Sequence, residues 1–269
     1  MKGMQGADQK YKNLILCFEE GLAVIVLNRP KALNALNAET IQEISQALDE
    51  IEADAKNRVL LITGSGDKAF VAGADIRELK ECESAAQGQE ASEKGSQLFR
   101  RLETTRLITM AGVNGFCLGG GMELAISCDF RFAATTAMFG LPEVGLGIIP
   151  GYGGTQRLPR IIGRGLAMEL IATGRKFDAH YALHIGLVNR VVPQHDLLNL
   201  CRQVAQEILA QAPLAVAAAK KALAIGLDSD IESGLKAESS EFGKLCLTKD
   251  MHEGMAAFVE KRQAQFKGE

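Results

Sequence analysis

Glu123 follows three consecutive glycines, Gly119, Gly120 and Gly121, in the stretch NGFCLGGGMELA. Glycine has no Cβ, so a backbone can approach a ligand closely there, and the free N–H groups at a helix N-terminus point outward as donors. Gly120 is therefore a candidate donor to an oxyanion. The stretch FVAGADI, residues 70–76, offers a second turn of small residues, where the Ala74 amide can supply the other half of a two-donor hole. Taken singly, each stretch reads equally as a tight turn or close helix packing. A third glycine-rich block, FGLPEVGLGIIPGYGGTQRLPR, carries Glu143 between Pro142 and apolar residues. Such a carboxylate is either exposed at a turn or buried with a raised pKa, and the buried form can donate a proton near neutral pH. Glu123 divides in the same way, between a reacting acid and a first-turn residue favoured by the helix dipole.

Other chemistries find less support. TGSGDKA, residues 63–69, matches a dinucleotide-binding turn, but the chain continues FVAGADI instead of opening a helix, so no phosphate would meet a helix N-terminus. His180 and His184 have the spacing of two metal ligands on one helix face, without a glutamate after His180 or a third ligand nearby. We expect no metal. None of the four histidines stands beside a serine or cysteine nucleophile, and apolar neighbours would raise the pKa of Cys117. The six cysteines form no C-x-x-C pair and read as reduced thiols.

The elements that would position these residues alternate short apolar runs with amphipathic segments, LAVIVLN, residues 38–54, then RVLLITG, which predicts an α/β architecture. Ile41, Ile44, Leu48 and Ile51 make one helical stripe, with Asn37 as its N-cap. Residues 83–97 are small and polar and read as a mobile loop or frayed helix whose motion could serve ligand entry. From about residue 196 the strand signals stop, leaving helices over 196–211, 213–227, 231–247 and 249–265. This places a boundary between a core of residues 1–198, holding the active site, and a helical region of residues 199–269, of the kind that packs on the core or on another subunit.

With 269 residues, 47% hydrophobic and 23% charged, the chain can bury a sizeable core without metal or disulfide support. A net charge of −3 gives no overall field for nucleic acid or anionic lipid, so an anionic ligand must meet a local patch. No run of 18 apolar residues and no secretory or transit pattern is evident, and the expected compartment is the cytoplasm.

Five blocks, NRPKALNAL (28–36), AFVAGADI (69–76), VNGFCLGGGMELAISCD (113–129), FGLPEVGLGIIPGYGGTQRL (139–158) and AFVEKR (257–262), together resemble the crotonase (enoyl-CoA hydratase/isomerase) superfamily in order and content. The resemblance implies the crotonase (ClpP-like) spiral of repeated ββα units, with a C-terminal helical region that forms homotrimers or, as a dimer of trimers, hexamers. It implies an acyl-CoA thioester as substrate, no separate cofactor because CoA is part of that substrate, and no nucleic-acid or membrane partner. The thioester oxygen would sit between the N–H groups of Ala74 and Gly120. Family members that hydrate 2-enoyl-CoA carry both acids, here Glu123 to activate the water and Glu143 to protonate C2, which implies a short-chain enoyl-CoA hydratase of fatty-acid β-oxidation or butanoate-type metabolism. A Δ3,Δ2-enoyl-CoA isomerase or another CoA lyase on the same oxyanion hole is the alternative. An RNA-binding relative would show a lysine comb on the first helix, and residues 39–54 carry no lysine. CoA would lie along Lys31, Ala32, Ala74, Asp75 and Ile76, with phosphates near Lys31 or Lys68 and with Lys261 reaching a neighbour's CoA. The sequence departs from the family at Leu107 and Ile108, which stand in place of a Lys-Pro pair.

Overall fold

The computed structural model describes residues 10–269. Among the described residues ten strands are present in chain order: β1 (Leu14–Glu19), β2 (Leu22–Leu27), β3 (Val59–Gly64), β4 (Ala69–Val71), β5 (Ile108–Val113), β6 (Phe116–Leu118), β7 (Phe130–Ala134), β8 (Met138–Gly140), β9 (Phe177–Asp178) and β10 (Arg190–Val192). They form a six-stranded sheet in the order β1-β2-β3-β5-β7-β10 and a four-stranded sheet in the order β4-β6-β8-β9. Only the β1–β2 and β8–β9 pairs are antiparallel. Each of the pairs β3–β4, β5–β6 and β7–β8 places its first strand in the larger sheet and its second in the smaller, and a helical segment follows. These repeated ββα units wind as the spiral expected from the resemblance.

The unbroken apolar runs of β2, β3 and β5 follow from burial on both faces. Ala23, Ile25 and Leu27 face one core with Ile44, Leu48 and Ile51 of the helix Ala38–Ala53, while Leu22, Val24 and Val26 face a second core under the helix Leu197–Leu209. The side chain of Asn37 accepts from the Thr40 N–H and starts the first of these helices as expected. Turn chemistry keeps the two sheets in register. Asn114 accepts from the Gly64 N–H and donates to the carbonyls of Gly64, Gly66 and Ala69, tying the β3–β4 turn to the β5–β6 turn. The TGSGDKA segment is thus a strand-to-strand connection.

Residues 83–97 differ from the expectation. A single helix, Ala85–Thr104, runs through them, capped by the Ser84 side chain and anchored by buried Gly95, Leu98, Phe99 and Leu102. Its first half lacks a large apolar stripe because its small residues border a cavity. Leu107 and Ile108 are buried at the entry to β5, and the Leu107 carbonyl accepts from the Lys220 Nζ, which also binds Asp129.

The boundary drawn between residues 198 and 199 falls inside the helix Leu197–Leu209, whose Cys201, Val204 and Ala205 pack on the larger sheet. The helices Pro213–Leu227, Ile231–Leu245 and Lys249–Glu260 follow. The last stops five residues before the expected residue 265 because Lys261 turns left-handed, at φ 54°, and the chain folds back so that Asp250 accepts from the amides of Lys267 and Gly268. Among the described residues no single helix is long and apolar enough to cross a membrane.

Candidate active site

The parallel neighbours β4, β6 and β8 deliver three segments to one place: Ala72–Gly73–Ala74 after β4, Gly119–Gly120 after β6, and Pro142–Glu143 after β8. All seven of these residues, with Glu123, border one cavity of about 860 Å³. Residues far apart in sequence meet here because equivalent strand ends in successive units are adjacent.

Each of the three glycines answers a separate demand. Gly119 has φ 51° and ψ −127°, a conformation that side chains with a Cβ avoid, and a Cβ there would stand 2.9 Å from Glu143 Oε1. A Cβ on Gly121 would overlap the Val71 carbonyl at the end of β4. One on Gly120 would fill the space 3.5 Å from the Ala74 nitrogen and 3.3 Å from the Tyr152 ring. Gly120 is the first residue of the helix Gly120–Ile126, so its N–H has no acceptor within that helix. The parallel bridge between Leu36 and Ala74 uses the N–H groups of Leu36 and Asp75, and leaves that of Ala74 out of the backbone pairing.

Glu123 is 1% exposed, which excludes a solvated first-turn acid. Its Oε1 accepts from the N–H of Tyr152 at 2.8 Å and of Gly154 at 2.7 Å. Burial pushes its pKa up to about 7, against the opposing pull of the Gly154 amide, and neighbouring Glu143 adds to the rise. Glu143 sits at the start of the 3-10 turn Glu143–Leu146 and is also buried, which lifts its pKa above the ordinary carboxylate value. Its Oε2 is buried with no donor among the described residues. Two fixed amide donors thus offset part of the burial cost of a Glu123 carboxylate without cancelling it, whereas Glu143 carries a buried oxygen with no such donor.

Sequence reasoning missed the parts that hold Glu123 in place. Arg157 donates to the Tyr152 carbonyl at 2.7 Å and binds both carboxyl oxygens of Glu103, so an ion pair from the helix Ala85–Thr104 steadies the segment that grips Glu123. Ser92 and Ser96 donate to the Gly151 carbonyl from the same helix. The only hint of this in the sequence is the run GYGGTQR, which places the glycines and Arg157 close together.

The remaining candidates divide. Ile76 lines the cavity; Asp75 is turned to Arg29, an ion pair of 2.9 Å that holds its carboxyl below the usual range. Lys31, Ala32, Lys68 and Lys261 line neither this cavity nor a smaller one beside it. Cys117 is buried, which raises its pKa, and its thiol donates to the Gly121 carbonyl; His180 and His184 lie on the short helix Ala179–His184, outside the cavity wall.

Against known proteins, the profile of the family described as enoyl-CoA hydratase/isomerase matches residues 17–269. The short-chain-enoyl-CoA hydratase of Clostridium acetobutylicum is 47% identical over 253 residues, 94% of this chain and 97% of the relative. The crotonyl-CoA hydratase of Syntrophomonas wolfei is 49% identical over 256 residues, 95% of this chain and 98% of the relative. Among solved structures, an enoyl-CoA hydratase from Bacillus anthracis superposes with a TM-score of 0.92 at 40% identity, over 96% of this chain and 100% of that one.

Proposed function

Because the chain belongs to the enoyl-CoA hydratase/isomerase family, we propose that it adds water reversibly across the trans-2 double bond of a short-chain enoyl-CoA, giving 3-hydroxyacyl-CoA. The observation that carries this reading is the pair of buried carboxyls, Glu123 and Glu143, bordering one cavity with Ala74 and Gly120. The names of the two relatives, short-chain-enoyl-CoA and crotonyl-CoA hydratase, support the substrate class.

The amides of Ala74 and Gly120 would donate to the thioester oxygen as it gains charge. Water attacks C3 and gives its proton to Glu123, while protonated Glu143 gives a proton to C2; the C2–C3 π bond is consumed and new C3–O and C2–H bonds form. Proton transfer between the two acids then resets the site. CoA enters as part of the substrate, and no further cofactor is needed. Each correctly placed acid or base contributes on the order of 10²–10⁴-fold. With crotonyl-CoA, the absorbance of the conjugated thioester should fall on mixing, and Glu143→Gln should lower turnover at least about a hundredfold. Near wild-type turnover in that variant would overturn the assignment.

The same reading extends to assembly. The C-terminal helices leave Leu223, Leu227, Ile231 and Phe242 exposed, an apolar face suited to other copies of the chain in a trimer or a dimer of trimers.

A further inference from the structure

Tyr152 does more than lend its N–H to Glu123. Its side chain forms part of the wall of two cavities, the chamber of about 860 Å³ that holds both acids and a second of about 290 Å³. Ala74, Cys82, Gly88 and Ala91 belong to the same shared wall, and beyond it the second chamber is lined by Leu36, Ala38 and Ile41. Leu36, Ala38 and Ile41 give it an apolar inner face, Asp75 on its lining is paired with Arg29, and Glu78, Glu81, Glu90 and Lys94 are exposed around it.

The ring is held in this position from several directions. Phe99 meets it edge to face, with centroids 5.5 Å apart and planes at 84°. The helix Ala85–Thr104 carries glycine at position 95, where a Cβ would overlap the ring. On the reacting side the ring lies against Gly120. The backbone beneath it is fixed by the bond from Arg157 to the Tyr152 carbonyl. An aromatic side chain locked in this way is a wall, because moving it would require the helix, Phe99 or the Glu123 cradle to move as well.

We propose that Tyr152 is a partition that sets acyl chain length, a specificity-determining residue whose ring confines a short alkyl tail to the first chamber and closes it off from the second. The inference rests on the enoyl-CoA reading of the site. An apolar tail extending past the position of the ring would gain burial against Leu36 and Ile41, and this contact becomes available only when the ring is removed.

Binding reads the partition without turnover. Calorimetric titration of butyryl-CoA and octanoyl-CoA should show the wild type favouring the shorter chain, and Tyr152→Ala should raise the octanoyl-to-butyryl affinity ratio at least about tenfold. Tyr152→Phe should keep the wild-type ratio, since the ring and not the hydroxyl is the barrier. In the Tyr152→Ala background, Ile41→Trp should refill the second chamber and return the ratio toward the wild-type value. Tyr152→Leu serves the same purpose should the alanine variant fold poorly. Equal affinity of the wild type for both chains, or an unchanged ratio in the folded alanine or leucine variant, would overturn the partition. Hydration of trans-2-butenoyl-CoA and trans-2-octenoyl-CoA, measured in parallel, separates the two readings. A shifted binding ratio without hydration by the wild type would sink the hydratase assignment alone, and hydration with an unshifted ratio would sink the partition alone.

Discussion

At the ends of β4, β6 and β8, space is so tight that glycine is the only residue accommodated at position 121, and Glu143 Oε2 is buried there with no donor among the described residues. In the C-terminal helical region the situation is reversed: Leu247, in the turn before the last helix, is 87% exposed, Phe258 is 84% exposed, and a Cβ on Gly243 would meet nothing within 4 Å. The atoms left unmatched differ in kind. The first region leaves a buried carboxyl oxygen beside a cavity, which needs a polar reactant; the second leaves broad apolar surface, which needs another apolar surface. What each region lacks thus tells a site suited to a polar reactant from a surface suited to another apolar surface.

The sharpest way to break this comparison is to add one methyl group to the tight region. In Gly121→Ala the new Cβ would overlap the Val71 carbonyl, a backbone atom that can yield only if β4 or the helix Gly120–Ile126 moves. Overpacking of this kind costs about 1–3 kcal/mol, and a displacement of about 1 Å at a reacting group can cost about a hundredfold in rate. Because Gly120 and Glu123 flank the position, turnover should fall at least about a hundredfold, and chemical denaturation should register the lost stability. A variant with wild-type midpoint and turnover would show that the region is not tight.

The candidate residues at this end were legible in the sequence, and their supports were not. Glycines permit close backbone approach, so Gly120 and Ala74 could be named as candidate donors from composition and spacing, whereas Glu123 and Glu143 stayed open between reacting acids and ordinary turn residues until the resemblance gave them roles. Burial is decided by what packs over them, which local spacing does not encode. The amides of Tyr152 and Gly154, and the Glu103–Arg157 pair, act across separations of 29, 31 and 54 residues. The same limit explains the helix Ala85–Thr104: a helix bordering a cavity with Gly88, Ala91, Ser92 and Ser96 has no apolar stripe in that half to reveal it. The spiral was legible only through five blocks read together, because no single ββα unit has a distinctive local pattern.

An effect that leaves the packing of this region in place, and is opposite in sign, tests whether Glu123 is held in a strained electrostatic setting. Burial raises its pKa from the ordinary 4.5 to about 7 in the folded chain. Between these values the folded state holds more protons than the unfolded state, so this contribution to stability is fully present below pH 4.5 and is lost as pH rises through about 7. Glu123→Gln removes the ionisation. At pH 8 the variant should be more stable than the wild type by on the order of 3 kcal/mol, and the difference should shrink as pH falls toward 4.5. A pH-independent difference in denaturation midpoint would mean that the carboxylate is not destabilised by its burial.

The smallest effect on the fold of a single subunit belongs to the other region. Phe258 lies near the end of the helix Lys249–Glu260 and is nearly fully exposed, so Phe258→Asp removes little from the subunit's own core. Exposed substitutions of this kind change the stability of the chain that carries them by about 0.5 kcal/mol or less. If the face is covered by other copies, however, the new carboxylate must lose its water inside an apolar interface, and a buried unpaired charge is costly. The two outcomes are read by different instruments: far-ultraviolet circular dichroism should show unchanged helix content, while light scattering should show a mass reduced from that of the wild-type assembly. A wild type that already scatters as one subunit would remove assembly as the reason for the apolar face. An unchanged assembly in the variant would place the interface on helices other than this one, and would narrow it to the face carrying Leu223, Leu227, Ile231 and Phe242.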